Sequence, residues 1–241
     1  MQSKGYVYVA SLKKAYYEAA KYSAESLLTF YPEAKITLFT HEEWVEEEDY
    51  DIFDQIITED VPKDKRAKLW ALSKTPYDIT MYVDCDTYIQ HEDIADVFDF
   101  IDEYDIIFTR NRPYNAKITK LSDNEEMIYH CGIFVYKNNT QTKKLMDDWY
   151  KYYWEQQKKS FDMEHYPDEA RPWDTFTMWY LLNKTDHKNT VRVGDFPEPD
   201  ARWNFCLGQK PEELQGQDVI ITHYRLDRVF TSNEIIGKNK S

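Results

Sequence analysis

Two aspartates stand at i and i+2 behind an apolar run, in Ile79-Thr80-Met81-Tyr82-Val83-Asp84-Cys85-Asp86-Thr87. Along an extended chain alternate side chains share a face, so both carboxylates would point the same way. Like charges this close raise each other's cost of ionisation, and a divalent cation relieves that repulsion. Hard oxygen ligands suit Mn²⁺ or Mg²⁺. Two chemistries fit such a pair. In one, the cation bridges a sugar nucleotide's diphosphate and neutralises the departing nucleoside diphosphate. In the other, Asp84 attacks a phosphoryl group and its neighbour transfers protons.

The pair needs a frame to hold it, and hydrophobic patterning supplies one. Tyr6–Ala10 reads as a strand, Lys14–Phe30 as a helix, and Ile36–Thr40 and Ile52–Thr58 as strands. Asp64–Lys74 (helix), Ile79–Asp84 (strand), Ile94–Ile101 (helix) and Asp105–Thr109 (strand) follow. Strand and helix in alternation predict an α/β fold with a mixed, mainly parallel central sheet flanked by helices, Rossmann-like in its N-terminal half. Ligands of such sheets sit at the carboxyl ends of strands, which directs attention to Ser11 and Asp84. The second half is less regular. Gly132–Tyr136 reads as a strand and Gln141–Gln157 as a helix crowded with Trp149, Tyr150, Tyr152, Tyr153 and Trp154, a pattern that favours core packing. Pro172–Leu182 reads as a helix with proline in its first turn, and Ile220–His223 ends the ordered pattern.

The 241 residues carry a formal charge of −14, and 42% are hydrophobic, which supports a real core. So acidic a chain repels a phosphate backbone, so nucleic acid is not expected as a partner. No apolar run approaches a transmembrane segment. Met1–Tyr6 lacks the order of a signal peptide, and three cysteines without CxxC spacing indicate neither a disulfide framework nor a zinc site. A cytoplasmic location is the expectation. Aromatic residues reach 16%, a level that suits both cores and sugar-facing surfaces.

Four blocks then line up. Lys68-Leu69-Trp70-Ala71-Leu72 precedes the strand that ends in Asp84-Cys85-Asp86-Thr87, and Tyr129-His130-Cys131-Gly132-Ile133-Phe134-Val135-Tyr136 follows it. Next come Trp173-Asp174-Thr175 and Ile221-Thr222-His223-Tyr224. In this order they resemble the GT-A-fold glycosyltransferases, most of all glycogenin and its retaining relatives, from about Tyr6 to Tyr224. The resemblance implies one GT-A-like domain over residues 1–241, with a nucleotide-binding half (1–110) and an acceptor- and sugar-binding half (111–241). It implies hexose transfer from a nucleoside-diphosphate sugar, UDP favoured, to a carbohydrate or other hydroxyl acceptor. Asp84, Asp86 and His223 would hold Mn²⁺ or Mg²⁺, and Asp84 would also touch the ribose. Lys68 would lie near the diphosphate, Tyr8, Ala10 and Ser11 around the base, and Gly132 near the sugar. Asp174 would face donor sugar and acceptor, as stabiliser of a cationic centre or as general base, with Asp168 in reserve. Thr175 stands where the relatives carry Gln, and Tyr224–Arg228 lacks their Gly and Lys-Pro-Trp, which leaves closure over the diphosphate to Arg225 or Arg228.

A second resemblance competes. Asp84-Cys85-Asp86-Thr87 with Gly194-Asp195-Phe196-Pro197-Glu198-Pro199-Asp200 is similar to the opening and later motifs of haloacid-dehalogenase-like phosphohydrolases. That reading makes Asp84 a nucleophile, although here about 80 residues precede it. A catalytically silent sugar-nucleotide binder is the third reading.

Overall fold

The computed structural model describes residues 2–115, 118–158 and 165–226. Its first part runs β1 (Lys4–Val9), α1 (Lys14–Phe30), β2 (Ile36–Phe39), β3 (Gln55–Ile57), α2 (Ala67–Ala71), β4 (Ile79–Val83), β5 (Thr87–Ile89) and β6 (Ile106–Arg110). A small hairpin, β7 (Lys120–Ser122) with β8 (Glu125–Glu126), leads into β9 (Tyr129–Lys137) and α3 (Thr140–Gln157). The remainder holds α4 (Asp174–Lys184), α5 (His187–Thr190), β10 (Val193–Asp195), β11 (Phe205–Cys206) and β12 (Ile221–His223).

Seven strands form one sheet in the order β10-β6-β9-β4-β1-β2-β3. All its pairs are parallel except those of β9, which runs antiparallel to both β4 and β6. The expected mixed, mainly parallel sheet is therefore present, and strands from both halves of the chain build it. Alternation along β1 sorts its side chains onto two faces. Val7 and Val9 join the apolar layer under α2, α3 and α4, whereas Tyr6 and Tyr8 join the layer under α1. Trp149 and Tyr153 of α3 are buried in the first layer, as core packing requires.

A second, three-stranded sheet, β11-β12-β5, does the positioning work. β5 continues directly from the aspartate pair, and β12 lies antiparallel to it with His223 opposite Thr87. Backbone pairing thus brings a histidine from near the end of the described chain beside Asp86, and Tyr224 N–H donates to Asp86 O at 2.7 Å.

Several elements differ from expectation. The helix expected over Asp64–Lys74 is α2 followed by a 3-10 turn, Leu72–Lys74. Ile94–Ile101 lies in a 3-10 segment, Glu92–Ile101, not an α-helix. α4 starts at Asp174 because Trp173 is extended, so Pro172 stands outside the first turn and its carbonyl accepts from Arg66 at 3.0 Å. Asp49, in the acidic stretch Glu42–Asp51, is fully buried; it accepts from Tyr17 and, at 2.5 Å, pairs with Lys21. Among the described residues no helix is long and apolar enough to cross a membrane.

Candidate active site: an Asp-Asp-His cluster where three cavities meet

Parallel strands β1 and β4 end on the same side, and antiparallel β9 begins there. Val83 pairs with Ile133, and Asp84 N–H donates to Gly132 O at 2.8 Å. The register between β6 and β9 shifts between Phe108 and Thr109, so Cys131 and Gly132 sit at an irregularity, the usual way to re-aim a strand end. An added Cβ at Gly132 would collide with Asp84 Oδ2 and lie 2.8 Å from His130 Cε1 and 2.9 Å from His223 Cε1. Glycine keeps this space open.

Around that space, ligand atoms of Asp84, Asp86 and His223 all lie within 4.8 Å of one another. His223 Nε2 is 3.3 Å from Asp86 Oδ1 and 3.9 Å from Asp84 Oδ2. On its other side, Nδ1 faces Asn204 Oδ1 at 2.9 Å. A buried amide oxygen there fixes the proton on Nδ1 and turns the Nε2 lone pair toward the carboxylates, the support a metal-binding imidazole commonly has. Burial alone would lower the His223 pKa, but the Asp86 carboxylate overrides it and holds the ring well above its usual value. Asp86 is depressed in return, against its own burial. Two carboxylates, one oriented imidazole and an open cradle fit a hard divalent cation such as Mn²⁺ or Mg²⁺.

The cationic side is equally organised. Lys68 Nζ lies 3.3 Å from Asp84 Oδ1 and 3.1 Å from Asp174 Oδ2, and it donates to Cys131 O at 2.8 Å. Arg66 contacts Asp174 Oδ1 at 3.2 Å. Burial opposes charge on Lys68, yet the Asp174 and Asp84 carboxylates win and raise its pKa. Burial likewise opposes charge on Asp174, and Arg66 and Lys68 pull its carboxyl down to about 2. Tyr82 donates to Asp84 Oδ1 at 2.5 Å.

Three cavities adjoin this cluster. The first, about 210 Å³, is lined by Val9, Ser11, Tyr16, Asp64, Arg66, Lys68 and the Asp84–Asp86 segment. The second, about 140 Å³, lies among Lys68, Asp84, Asn111, Gly132, Asp174 and Thr175. The third, about 410 Å³, is lined by Asp86, Tyr114, Trp173, Leu207, Tyr224 and Arg225. Asn115, His130, Trp173 and His223 line both the second and the third.

Most residues singled out in the sequence converge here: Ser11, Lys68, Asp84, Asp86, Gly132, Asp174, Arg225 and His223 line one or more cavities. Tyr8 and Ala10 do not. They point to the opposite face of the sheet, fully buried under α1, with Tyr8 OH 3.0 Å from Ser23 Oγ. Alternation puts Val9 and Ser11 at the cavity instead. Asp168 also stands apart, exposed and 3.9 Å from Arg171, and lines none of the three. Arg228 falls outside the described residues. The later acidic motif serves elsewhere: Asp195 and Glu198 pair with Arg110, and Asp200 with Arg112. None of these carboxylates shares a cavity with Asp84. Tyr16, Arg66, Asn204, Tyr114 and Asn115 line or support the site but were not singled out in the sequence. Arg66, two residues before Lys68, was the one with a sequence signal.

No family model matches the sequence, and no curated protein does. Solved structures do match in fold. The glycosyltransferase GlyE of Streptococcus pneumoniae TIGR4 superposes with a TM-score of 0.61 at 14% identity, over 92% of this chain and 55% of that one. The chain thus spans about half the length of the pneumococcal structure. The galactosyltransferase LgtC, solved with donor and acceptor sugar analogs, gives 0.52 at 14% identity over 91% and 86% of the two chains. Mouse xyloside xylosyltransferase 1 gives 0.51 at 14% over 91% and 97%. The fold is GT-A-like. This agrees with the sheet order, with the position of the aspartate pair at the end of a central strand, and with the resemblance read from the four blocks.

Proposed function

We propose that this chain is a metal-dependent glycosyltransferase that moves a hexose from a nucleoside-diphosphate sugar, UDP favoured, to an acceptor hydroxyl. The observation that carries the reading is the Asp84–Asp86–His223 cluster, set where three cavities meet at the carboxyl edge of the sheet. In this reading the first cavity takes the nucleoside, the second the donor sugar and the third the acceptor. Residues 1–110 supply most of the nucleotide contacts, residues 111–241 most of the others, and the two halves work as one unit. Three buried free cysteines suit a reducing, cytoplasmic setting.

Bound at Asp84, Asp86 and His223, Mn²⁺ or Mg²⁺ would supply charge neutralisation for the leaving diphosphate. Lys68 and Arg66 place two further positive charges beside the same region, where negative charge grows in the transition state. Asp174 is held too acidic for a general base near neutral pH, so it suits orientation of sugar hydroxyls and support of positive charge at the anomeric centre. In the transfer, the acceptor oxygen bonds to the anomeric carbon as that carbon's bond to the β-phosphate oxygen breaks. The diphosphate leaves with the electron pair, and the hydroxyl proton passes to it and on to water.

Thermal unfolding with UDP or GDP, each with and without Mn²⁺, tests the donor site. Stabilisation should require metal and nucleotide together, by about 5–10 °C at ligand near a hundredfold excess over Kd. Asp86→Ala should abolish it. Absence of any nucleotide shift, combined with Mg²⁺-dependent hydrolysis of p-nitrophenyl phosphate, would return the phosphohydrolase. A shift without turnover of any donor would leave a silent binder.

A further inference from the structure

Beside the Asp-Asp-His cluster lies a second set of ligand atoms with a different chemistry. One nitrogen of His130, one of His223 and the Sγ of Cys206 all lie within 4.8 Å of one another. They come from β9 of the large sheet and from β12 and β11 of the small one. Cysteine spacing along the chain gives no sign of them, because they meet only in the fold.

The fold holds all three in place. Parallel pairing of β11 with β12 sets Cys206 opposite His223. Asn204 Oδ1 accepts from Cys206 Sγ at 3.2 Å and faces His223 Nδ1 at 2.9 Å, so one buried amide aims both. The His130 ring stands edge-on to His223 with centroids 5.3 Å apart, and its Nδ1 accepts from Gly132 N–H at 3.1 Å. Metal binding through either His130 nitrogen gives up that one bond, a small cost beside a thiolate–metal bond. All three residues line the third cavity. Cys206 is 8% exposed and the His223 side chain 10%, so an ion entering from the cavity reaches them.

Two imidazoles and a thiolate are a softer donor set than two carboxylates and an imidazole, and they select Zn²⁺ over Mn²⁺ or Mg²⁺. Three protein ligands leave the fourth tetrahedral position to a water from the cavity. His223 belongs to both sets. A neutral imidazole has one lone pair, so the ring serves one cation at a time. We propose that His130, Cys206 and His223 form a second, thiolate-containing site that takes Zn²⁺, and that Zn²⁺ bound there keeps a hard cation from Asp84, Asp86 and His223. On binding, the Cys206 thiol proton passes to solvent and no electron is transferred. The exclusion rests on the metal-dependent glycosyltransferase reading, whereas the zinc site does not.

Co²⁺, a spectroscopic substitute for Zn²⁺, tests the site in the full chain. Its absorption should show the near-ultraviolet charge-transfer band of a thiolate–Co²⁺ bond, bleached by stoichiometric Zn²⁺. Cys206→Ser should remove the band and Asp86→Ala should keep it, with far-UV circular dichroism confirming that each variant is folded. Residues that merely support a metal ligand are worth 10- to 100-fold, so loss of the thiolate should weaken Zn²⁺ by more than about 100-fold. His130→Gln should weaken it by at least about tenfold. Electron paramagnetic resonance then follows bound Mn²⁺, and Cys206→Ser should need about 100-fold more Zn²⁺ than wild type to release it. A wild type without the band overturns the zinc site, as does a band that survives Cys206→Ser and so belongs to Cys85 or Cys131. Loss of the band in Asp86→Ala overturns it too. Release of Mn²⁺ at the same Zn²⁺ concentration in wild type and Cys206→Ser would mean direct competition at the aspartates, and overturns the exclusion. A thiolate band in a protein that binds no Mn²⁺ overturns the metal-dependent reading and the exclusion with it, and upholds the zinc site.

Discussion

At the scale of single residues, the site depends on one missing side chain and one buried amide. Gly132→Ala would push a methyl group into the space between Asp84, His130 and His223, an overpacking that costs about 1–3 kcal/mol. Mn²⁺ titration by electron paramagnetic resonance should show clearly weaker binding, while far-UV circular dichroism stays native. Asn204 acts one step further out. It is fully buried, accepts from His223 and donates to Thr109 Oγ1 at 3.0 Å. Asn204→Leu removes the acceptor that fixes the imidazole, and Mn²⁺ affinity should fall roughly 10- to 100-fold. An unchanged Mn²⁺ affinity would mean that β12 alone orients His223. Asp84 and Asp86 were legible in the sequence because they close an apolar strand, whereas Lys68 and Gly132 came only through the blocks that resemble the glycosyltransferases. Asn204 was not legible, since its role exists only once β11 lies beside β12. Tyr8 shows the opposite error: its position in a strand was legible, but which face of that strand met the cavity was not.

Among the elements, those with strong period were read closely. α1 spans the expected Lys14–Phe30, and β2, β4 and β9 lie within a few residues of their expected limits. Short strands such as β5, β10 and β11 were missed, because two or three residues carry no period and their pairing partners are distant in sequence. The edge strand β10 shows what holds such a piece. It pairs parallel with β6, and just before it Arg192 donates from its backbone N and its guanidinium to Asp105 at 2.9–3.1 Å. Asp105 also accepts from Asn139, the residue that caps α3, at 2.9 Å. These bonds, the Arg192 side chain first, hold the Asp105 carboxyl below its ordinary range. A depressed folded-state pKa gives stability that is complete above the unfolded value, about 4, and lost as pH falls through the folded value. Urea midpoints should therefore separate wild type from Asp105→Asn at pH 6–7, and the gap should close below about pH 4. A gap independent of pH would show that the hydrogen-bond geometry, not the charge, secures β10.

For the whole molecule, the decisive fact is how the sheet is interleaved. β4, which carries the aspartate pair, lies between β1 from the first half and β9 from the second. β6, the last strand of the first 110 residues, joins the sheet only through β9 and β10. Cutting the chain after Arg110 would strip β4 of one neighbour and β6 of both, and would uncover the apolar layer that α3 and α4 cover. It would also remove His223 from the Asp-Asp-His cluster. Residues 1–110, the proposed nucleotide half, are thus not an independent folding unit. A fragment of residues 1–110 should show poorly dispersed amide resonances and no thermal response to Mn²⁺ with UDP. The full chain should unfold in one calorimetric transition, with calorimetric and van't Hoff enthalpies in agreement. Metal and nucleotide should move that whole transition upward, because a ligand held by residues from both halves stabilises every element the sheet connects. Two transitions, of which only one responds to ligand, would instead divide the molecule at the β4–β9 pairing.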